Sequence, residues 1–161
     1  MVPLELVGVR VEVPGNTPML LLREQESDHR LLPIYIGNAE ASAIHYALEG
    51  VEPPRPFTHD LFVSTLSELG AEVVRVVITD MREHTFFAEL HVRSGERDHV
   101  ISSRPSDAIA LAVRCGAPLF ADSAVLDEHG RAPEPETEPD ETEIIDEFKD
   151  FLEHVDPGDF G

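Results

Sequence analysis

Composition and charge exclude several kinds of protein before any motif is considered. The chain has 161 residues and a formal net charge of −20. A single cysteine, Cys115, excludes an internal disulfide; it ends an apolar run and is expected to be buried. No stretch is apolar over the length of a spanning helix, and charged residues interrupt the apolar ones near the start. We therefore expect a cytoplasmic protein without a membrane partner.

The acidic residues are concentrated at the C-terminal end of the chain. Residues 127–161 contain 14 acidic and 2 basic residues, whereas residues 1–126 contain 18 acidic and 10 basic ones. The only lysine is Lys149. Because phosphate backbones are bound mainly through Lys and Arg, nucleic-acid binding by the first 126 residues would depend on arginine, histidine, hydroxyl groups and helix N-termini.

The apolar pattern predicts an α+β fold. In chain order it predicts strands at 3–13, 19–23 and 31–36, helices at 39–49 and 58–69, strands at 71–79, 85–92 and 99–102, a third helix from about 105 to Gly116, and a short strand at 118–120. Strict alternation in the first strand puts Leu4 and Val9 on opposite faces. This order of elements favours a mixed or antiparallel sheet with about three packed helices.

Two of the predicted helix starts carry dense polar chemistry. Residues 54–61 read Pro-Arg-Pro-Phe-Thr-His-Asp-Leu, and residues 102–107 read Ser-Ser-Arg-Pro-Ser-Asp. Proline cannot continue a preceding helix, and Thr58 and Ser106 are of the residue types that cap helix N-termini. Free backbone N–H groups and the helix dipole favour anions at such positions. Both segments are therefore candidate binding sites for an anion.

Four blocks of the chain resemble the bifunctional nuclease domain, formerly a domain of unknown function numbered 151. These blocks are residues 32–41, 55–61, 85–88 and 104–111, in the order typical of that family. The resemblance covers about residues 3–127. It implies an α+β domain with nuclease activity on RNA and DNA.

The chain divides into four predicted parts. Residues 1–127 form the bifunctional nuclease-like domain, 128–139 an acidic proline-rich linker, 140–155 an amphipathic acidic helix, and 156–161 a tail. The helix carries one apolar stripe: Ile144, Ile145, Phe148, Phe151, Leu152 and Val155. We expect this tethered helix to dock on the domain, on a second copy in a homo-oligomer, or on a basic protein partner.

Three carboxylates fall in the first turns of predicted helices: Glu40, Asp60 and Asp107. Each could simply complement the helix dipole. We expect them to lie in one cluster with His59 and Arg104, because isolated buried charges are not tolerated. If the helix starts converge in this way, the carboxylates could instead bind Mg²⁺ or Mn²⁺, which prefer oxygen ligands and can activate water. Together with His59 they are the candidate catalytic groups, since imidazole exchanges protons near neutral pH. Other histidines, such as His84, lack supporting neighbours, and no motif for an organic cofactor is present.

Two arginines and two hydroxyl groups are candidate phosphate ligands: Arg55, Thr58, Arg104 and Ser106. Arginine binds phosphate with two parallel hydrogen bonds. The structural alternative is equally open, because the arginines could pair with nearby carboxylates and the hydroxyl groups could cap helices.

Two functions remain in competition. The first is a metal-assisted nuclease acting on RNA or DNA, which the clustered motifs favour. The second is a non-catalytic binding or regulatory module with an acidic, partner-recruiting tail, which the net charge favours. Convergence of the helix starts in one exposed pocket would support the first. Internal pairing of the same polar groups would support the second.

Overall fold

The computed structural model describes residues 1–133 and the single residue Lys149. It contains seven strands and four helices among these residues: β1 (Val2–Glu12), β2 (Thr17–Glu24), β3 (Leu31–Tyr35), α1 (Asn38–Leu48), α2 (Thr58–Glu68), β4 (Ala71–Arg82), β5 (Thr85–Ser94), β6 (Arg97–Ser103), α3 (Pro105–Cys115), β7 (Leu119–Ala121) and α4 (Ser123–His129). The predicted helix at 140–155 lies outside the described residues, apart from Lys149. The α+β class and the three predicted helix starts are confirmed.

All seven strands form one mixed sheet, in the order β3-β2-β1-β7-β4-β5-β6. The two meanders, β1 to β3 and β4 to β6, are antiparallel within themselves. The three-residue strand β7 joins them, because it pairs antiparallel with β1 and parallel with β4. The sheet is therefore continuous only because the chain returns to its middle after α3.

A bulge in β1 changes which face of that strand is buried. The register against β2 shifts between Leu6 and Gly8. Leu4 and Val9 are consequently both buried in the same apolar core, although strict alternation had placed them on opposite faces. One extra residue in a strand reverses the side-chain alternation beyond it, so the prediction was wrong from Gly8 onward.

Helix α3 provides the centre of the helical layer. Its residues from Ala108 to Ala112 are all buried, and it contacts α1, α2, β4 and β5. Small side chains allow this close approach on every side. The helix ends at Gly116, whose positive φ of 70° is a conformation that glycine adopts without strain. Cys115, at the outer end of α3, is exposed rather than buried as expected.

Helix α2 is attached more loosely than α3. None of its residues is fully buried, although Val63 and Leu66 pack against the core. Leu61, which is 56% exposed, and Phe62 face solvent. Within the described residues, no helix is long and apolar enough to cross a membrane.

The fourth helix, α4, was not predicted, and the expected domain boundary at residue 127 lies inside it. Beyond this helix, Arg131 exchanges two backbone hydrogen bonds of 2.8 Å with Leu31 at the edge of the sheet. The Arg30 guanidinium also bonds Asp127 of α4 at 2.7 Å and the buried Glu24 at 2.9 Å. The described fold thus extends at least to Arg131.

Two truncations test this boundary. A chain ending at Pro133 should unfold cooperatively, with a melting temperature close to that of the full chain. A chain ending at Leu126 should lose about 1–3 kcal/mol of unfolding free energy, because it lacks the last turn of α4, the Arg131 bridge and the Asp127 partner of Arg30. Urea denaturation of both chains measures the difference. Equal stabilities would show that residues 127–133 add nothing to the fold.

Candidate functional site

The N-termini of three helices supply the polar groups of the candidate site. Gly37 and Arg104 are the N-cap residues of α1 and α3, and both have extended backbone angles. Pro105 occupies the first helical position of α3, where its missing N–H is not needed. Thr58 and Ser106 were candidate caps, but they lie inside the first turns of α2 and α3, and no side chain caps either helix at its N-cap position.

Four predicted site residues form one connected network, which we call the Arg104 network: Glu40, His59, Arg104 and Asp107. Arg104 donates from Nε to Asp107 Oδ2 at 2.6 Å and from Nη2 to Glu40 Oε1 at 3.0 Å. Nε2 of His59 bonds the other oxygen of Asp107, Oδ1, at 3.1 Å. The network therefore joins the starts of α1, α2 and α3.

The charges in this network stabilise one another. Burial opposes ionisation of Asp107, but hydrogen bonds from Arg104 and His59 outweigh it and hold the pKa of that carboxyl below its usual range. The hydrogen bond to Asp107, and more weakly the charge of Glu40, raise the pKa of Arg104. Asp107 is thus an anion, and its oxygens have different partners.

Gly37 makes room for the carboxylate of Glu40. A Cβ atom at position 37 would collide with the Glu40 carboxylate, which folds back over the first turn of α1. The acid at this point complements the positive end of the helix dipole. Glu40 is also bonded by Arg104. It therefore has both structural roles that the sequence suggested, complementing the helix dipole and pairing with an arginine.

Asp60 has different hydrogen-bond partners from the other two carboxylates. Its Oδ1 accepts a hydrogen bond from Arg114 Nε at 2.6 Å, and its Oδ2 accepts the Phe57 backbone N–H at 2.9 Å. Among the described residues, Arg55 and Thr58 are exposed and make no side-chain hydrogen bond. Asp60 is therefore a structural partner of α3 in this arrangement.

The residues as arranged do not fit a metal ion. Within residues 1–133, no group of three or more histidine, cysteine, aspartate or glutamate side chains is placed to hold one. The Arg104 guanidinium bridges Glu40 and Asp107, so a cation already joins these two carboxylates. A metal there would require Arg104 to release both of them.

A cleft of about 760 Å³ adjoins the Arg104 network. Its walls are formed by the end of β3, the β4–β5 turn and the starts and ends of three helices, namely residues 33–37, 81, 84–86, 104–106 and 128–131. Three of the four sequence blocks meet here, whereas block 55–61 does not line the cleft. Arg104 belongs to both the cleft and the network.

Sequence reasoning missed three residues of this cleft: His84, His129 and Arg131. His84 is in a turn that had no supporting neighbours in sequence. His129 ends α4 and Arg131 follows that helix, and both positions had been assigned to the linker. A signal was available, since Ser123 to His129 has helix-compatible residues after Asp122, a residue type that often precedes a helix.

The contact of Asp60 with Arg114 predicts a pH-dependent loss of stability in Asp60→Asn. The Arg114 side chain is only 8% exposed, so losing its carboxylate partner should cost about 1–3 kcal/mol of unfolding free energy at pH 7. Burial opposes ionisation of Asp60, yet Arg114 and the Phe57 N–H lower its pKa. Its stabilising effect is therefore present above the unfolded-state pKa of about 3.9 and is lost as the pH falls through the lower folded-state value.

Urea denaturation of wild type and Asp60→Asn at pH 7 and near pH 3 measures this effect, and the difference should shrink at the lower pH. Asp98→Asn is the matched control, because the Asp98–Arg93 pair is exposed and its loss should leave the stability nearly unchanged. Equal stability of wild type and Asp60→Asn at pH 7 would contradict the structural role.

Comparison with known proteins agrees with the family indicated by the motifs. The bifunctional nuclease domain family matches residues 20–134. An uncharacterized protein of Mycobacterium tuberculosis is 44% identical over 160 residues, which cover 96% of this chain and 95% of the relative. Bifunctional nuclease 2 of Arabidopsis thaliana is 30% identical over 114 residues, which cover 65% of this chain and 35% of the plant protein. The chain therefore belongs to the bifunctional nuclease domain family.

Proposed function

We propose that the protein is a phosphodiester hydrolase that cleaves RNA or DNA beside the Arg104 network. The observation that carries this proposal is the pair of His59 with Asp107, at 3.1 Å, next to an arginine that is 65% exposed. A carboxylate that orients an imidazole is a common arrangement for proton transfer in hydrolysis. Family membership and the plant relatives named as nucleases support the same reaction class.

Under this proposal each residue has a distinct task. Asp107 bonds Nε2 of His59 and so leaves Nδ1, which has no hydrogen-bond partner among the described residues, to accept a proton from water. The water oxygen forms a bond to phosphorus, the ester P–O bond breaks, and the leaving oxygen takes a proton from solvent. His59 then releases the proton it accepted to solvent. Arg104 can offer guanidinium N–H groups to the phosphate oxygens, where charge develops.

Magnesium or manganese assistance is a separate part of the proposal. If Arg104 released the carboxylates of Glu40 and Asp107, these two groups could hold such an ion, which would polarise the phosphate. The sequence had predicted these two carboxylates and Asp60 as the metal ligands. The proton transfer and bond cleavage described for His59 require no metal ion. Activity measured with EDTA, Mg²⁺ and Mn²⁺ distinguishes the two versions.

The strong net acidity weighs against a nucleic-acid substrate, but the charge is unevenly distributed. Residues 134–161 contain 12 acidic residues and one basic residue. The cleft contributes two arginines and two histidines to a local site on this acidic chain. We propose that nucleic acid approaches this cleft, and that residues 140–155 contact a protein partner or a second copy rather than the substrate.

Substitution of His59 tests the proposal. His59→Gln should lower kcat/KM on fluorescent RNA and DNA oligonucleotides by about 10²-fold or more, because it removes the proton acceptor. His91→Gln is the matched control, since His91 bonds Glu89 at 3.2 Å and is similarly buried, but on β5 away from the cleft. Both variants are purified identically, so a contaminating nuclease would give equal rates. Equal rates would overturn the proposal.

The second candidate function is a non-catalytic, anion-binding module. It is favoured by one specific observation: Glu40, Arg104 and Asp107 satisfy one another, as in a brace between helices. Under this alternative, the purified wild type cleaves no faster than His59→Gln, while Arg104→Gln lowers the melting temperature. Cleavage that depends on His59 would exclude it.

A further inference from the structure

Several groups that line the cleft take no part in the proton transfer and bond cleavage proposed above: His84, Ser106, His129 and Arg131. They come from the β4–β5 turn, the first turn of α3 and the end of α4. Distant parts of the chain therefore deliver polar side chains to one concave surface. Their chemistry indicates what the cleft accepts.

Ser106 is the most informative of these residues. It is only 6% exposed, lines the cleft and, among the described residues, makes no side-chain hydrogen bond. The Ser106 hydroxyl oxygen is not fully enclosed by protein atoms, so a ligand in the cleft can reach it. A hydroxyl group in this position needs an external partner to be satisfied.

The backbone around Ser106 favours an anionic partner. Pro105 has no N–H, and the Ala108 N–H bonds the Arg104 carbonyl at 3.1 Å. The N–H groups of Ser106 and Asp107 therefore lack intrahelical acceptors, as expected in a first turn. An oxyanion at the start of α3 would accept bonds from these groups and from the Ser106 hydroxyl.

The charged side chains of the cleft have the same preference. Arg131 is exposed, and its guanidinium makes no side-chain hydrogen bond among the described residues. Of the residues described in the cleft lining, Glu128 is the only acid, and it lies 3.7 Å from Nε2 of His129. In a chain with a net charge of −20, a lining with two arginines, two histidines and one acid is a local exception.

Two aromatic side chains, Tyr35 and Phe86, also line the cleft. Tyr35 is about half exposed and bonds Glu12 through its hydroxyl group, and Phe86 packs edge-on against His129 with ring centroids 5.8 Å apart. Both line the cleft, whose volume is within the range of sites that enclose small organic ligands. The ligand therefore combines an anionic group with a planar or apolar one.

We propose that the cleft binds the terminal phosphate monoester of a nucleotide. The phosphate contacts Ser106 and the start of α3, Arg131 neutralises its charge, and the base lies along Tyr35 and Phe86. A free nucleotide and the phosphorylated end of a nucleic acid share this chemistry. The inference goes beyond the proposed hydrolysis, because binding requires neither His59 nor a cleavable bond.

Calorimetric titration of the full-length His59→Gln variant in EDTA tests this site without cleavage. The probes are adenosine 5′-monophosphate, adenosine, and a tetranucleotide with or without a 5′-phosphate. A phosphorylated probe should bind at least tenfold more tightly than its unphosphorylated counterpart. Preference for the free nucleotide or for the phosphorylated oligonucleotide identifies the source of the ligand, and either result supports the site.

Further substitutions, made in the His59→Gln variant, locate the binding site. Arg131→Gln should weaken binding of the phosphorylated probe at least fivefold, and Ser106→Ala should weaken it as well. Arg97→Gln, an exposed arginine on β6 outside the cleft, should have no effect. Arg131 is exposed, so its variant remains informative even if Ser106→Ala fails to fold.

Two results would overturn the inference: equal binding of phosphorylated and unphosphorylated probes, or binding that Arg131→Gln leaves unchanged. Loss of cleavage in His59→Gln with binding retained supports both proposals. Binding without any cleavage by the wild type overturns the hydrolase alone.

Discussion

Burial of α3 against the middle of the sheet is the constraint on which the candidate site depends. The run from Ala108 to Ala112 is enclosed by two helices and two strands, so the helix cannot rotate or slide without opening the core. Its first turn is therefore held at a fixed place beside the starts of α1 and α2. Arg104 and Asp107 are polar groups positioned by an apolar helix.

The same helix explains how two meanders become one sheet. After α3, the chain returns as β7, which pairs with both β1 and β4. It then forms α4, whose end closes one side of the cleft. The cleft is thus built from segments between residues 33 and 131, and its lining depends on the return of the chain after α3. The cleft differs in this respect from the Arg104 network, whose residues all lie at the starts of α1, α2 and α3.

Sequence patterns predicted the parts of this fold that local chemistry determines. Proline near the starts of α2 and α3, Gly37 and Asn38 at the start of α1, and glycine after all three helices predicted their bounds within one or two residues. The bulge between Leu6 and Gly8 could not be predicted, because it follows from pairing with β2. For α4, the apolar residues Val125 and Leu126 were too few to give a helical period.

The candidate site, like the fold, was predicted only in part. The contacts among Glu40, His59, Arg104 and Asp107 were expected as a cluster, because each residue is in the first turn of a helix or next to one. Asp60 was expected in that cluster, but the side chain that binds it, Arg114, is seven residues further along α3 than Asp107. Which acid meets which arginine depends on how α2 crosses α3, and no local pattern contains that angle.

The protonation state of the His59 ring tests the account most directly. Because Nε2 faces the Asp107 carboxylate, the neutral imidazole should carry its proton on Nε2 and leave Nδ1 free to accept one. Long-range ¹H–¹⁵N NMR spectra of the histidine rings, recorded at alkaline pH with Asp107→Asn as the reference, report the tautomer. The wild type should show the Nε2–H form, and the variant should show a changed tautomer population. A proton on Nδ1, or identical spectra for the two proteins, would contradict it.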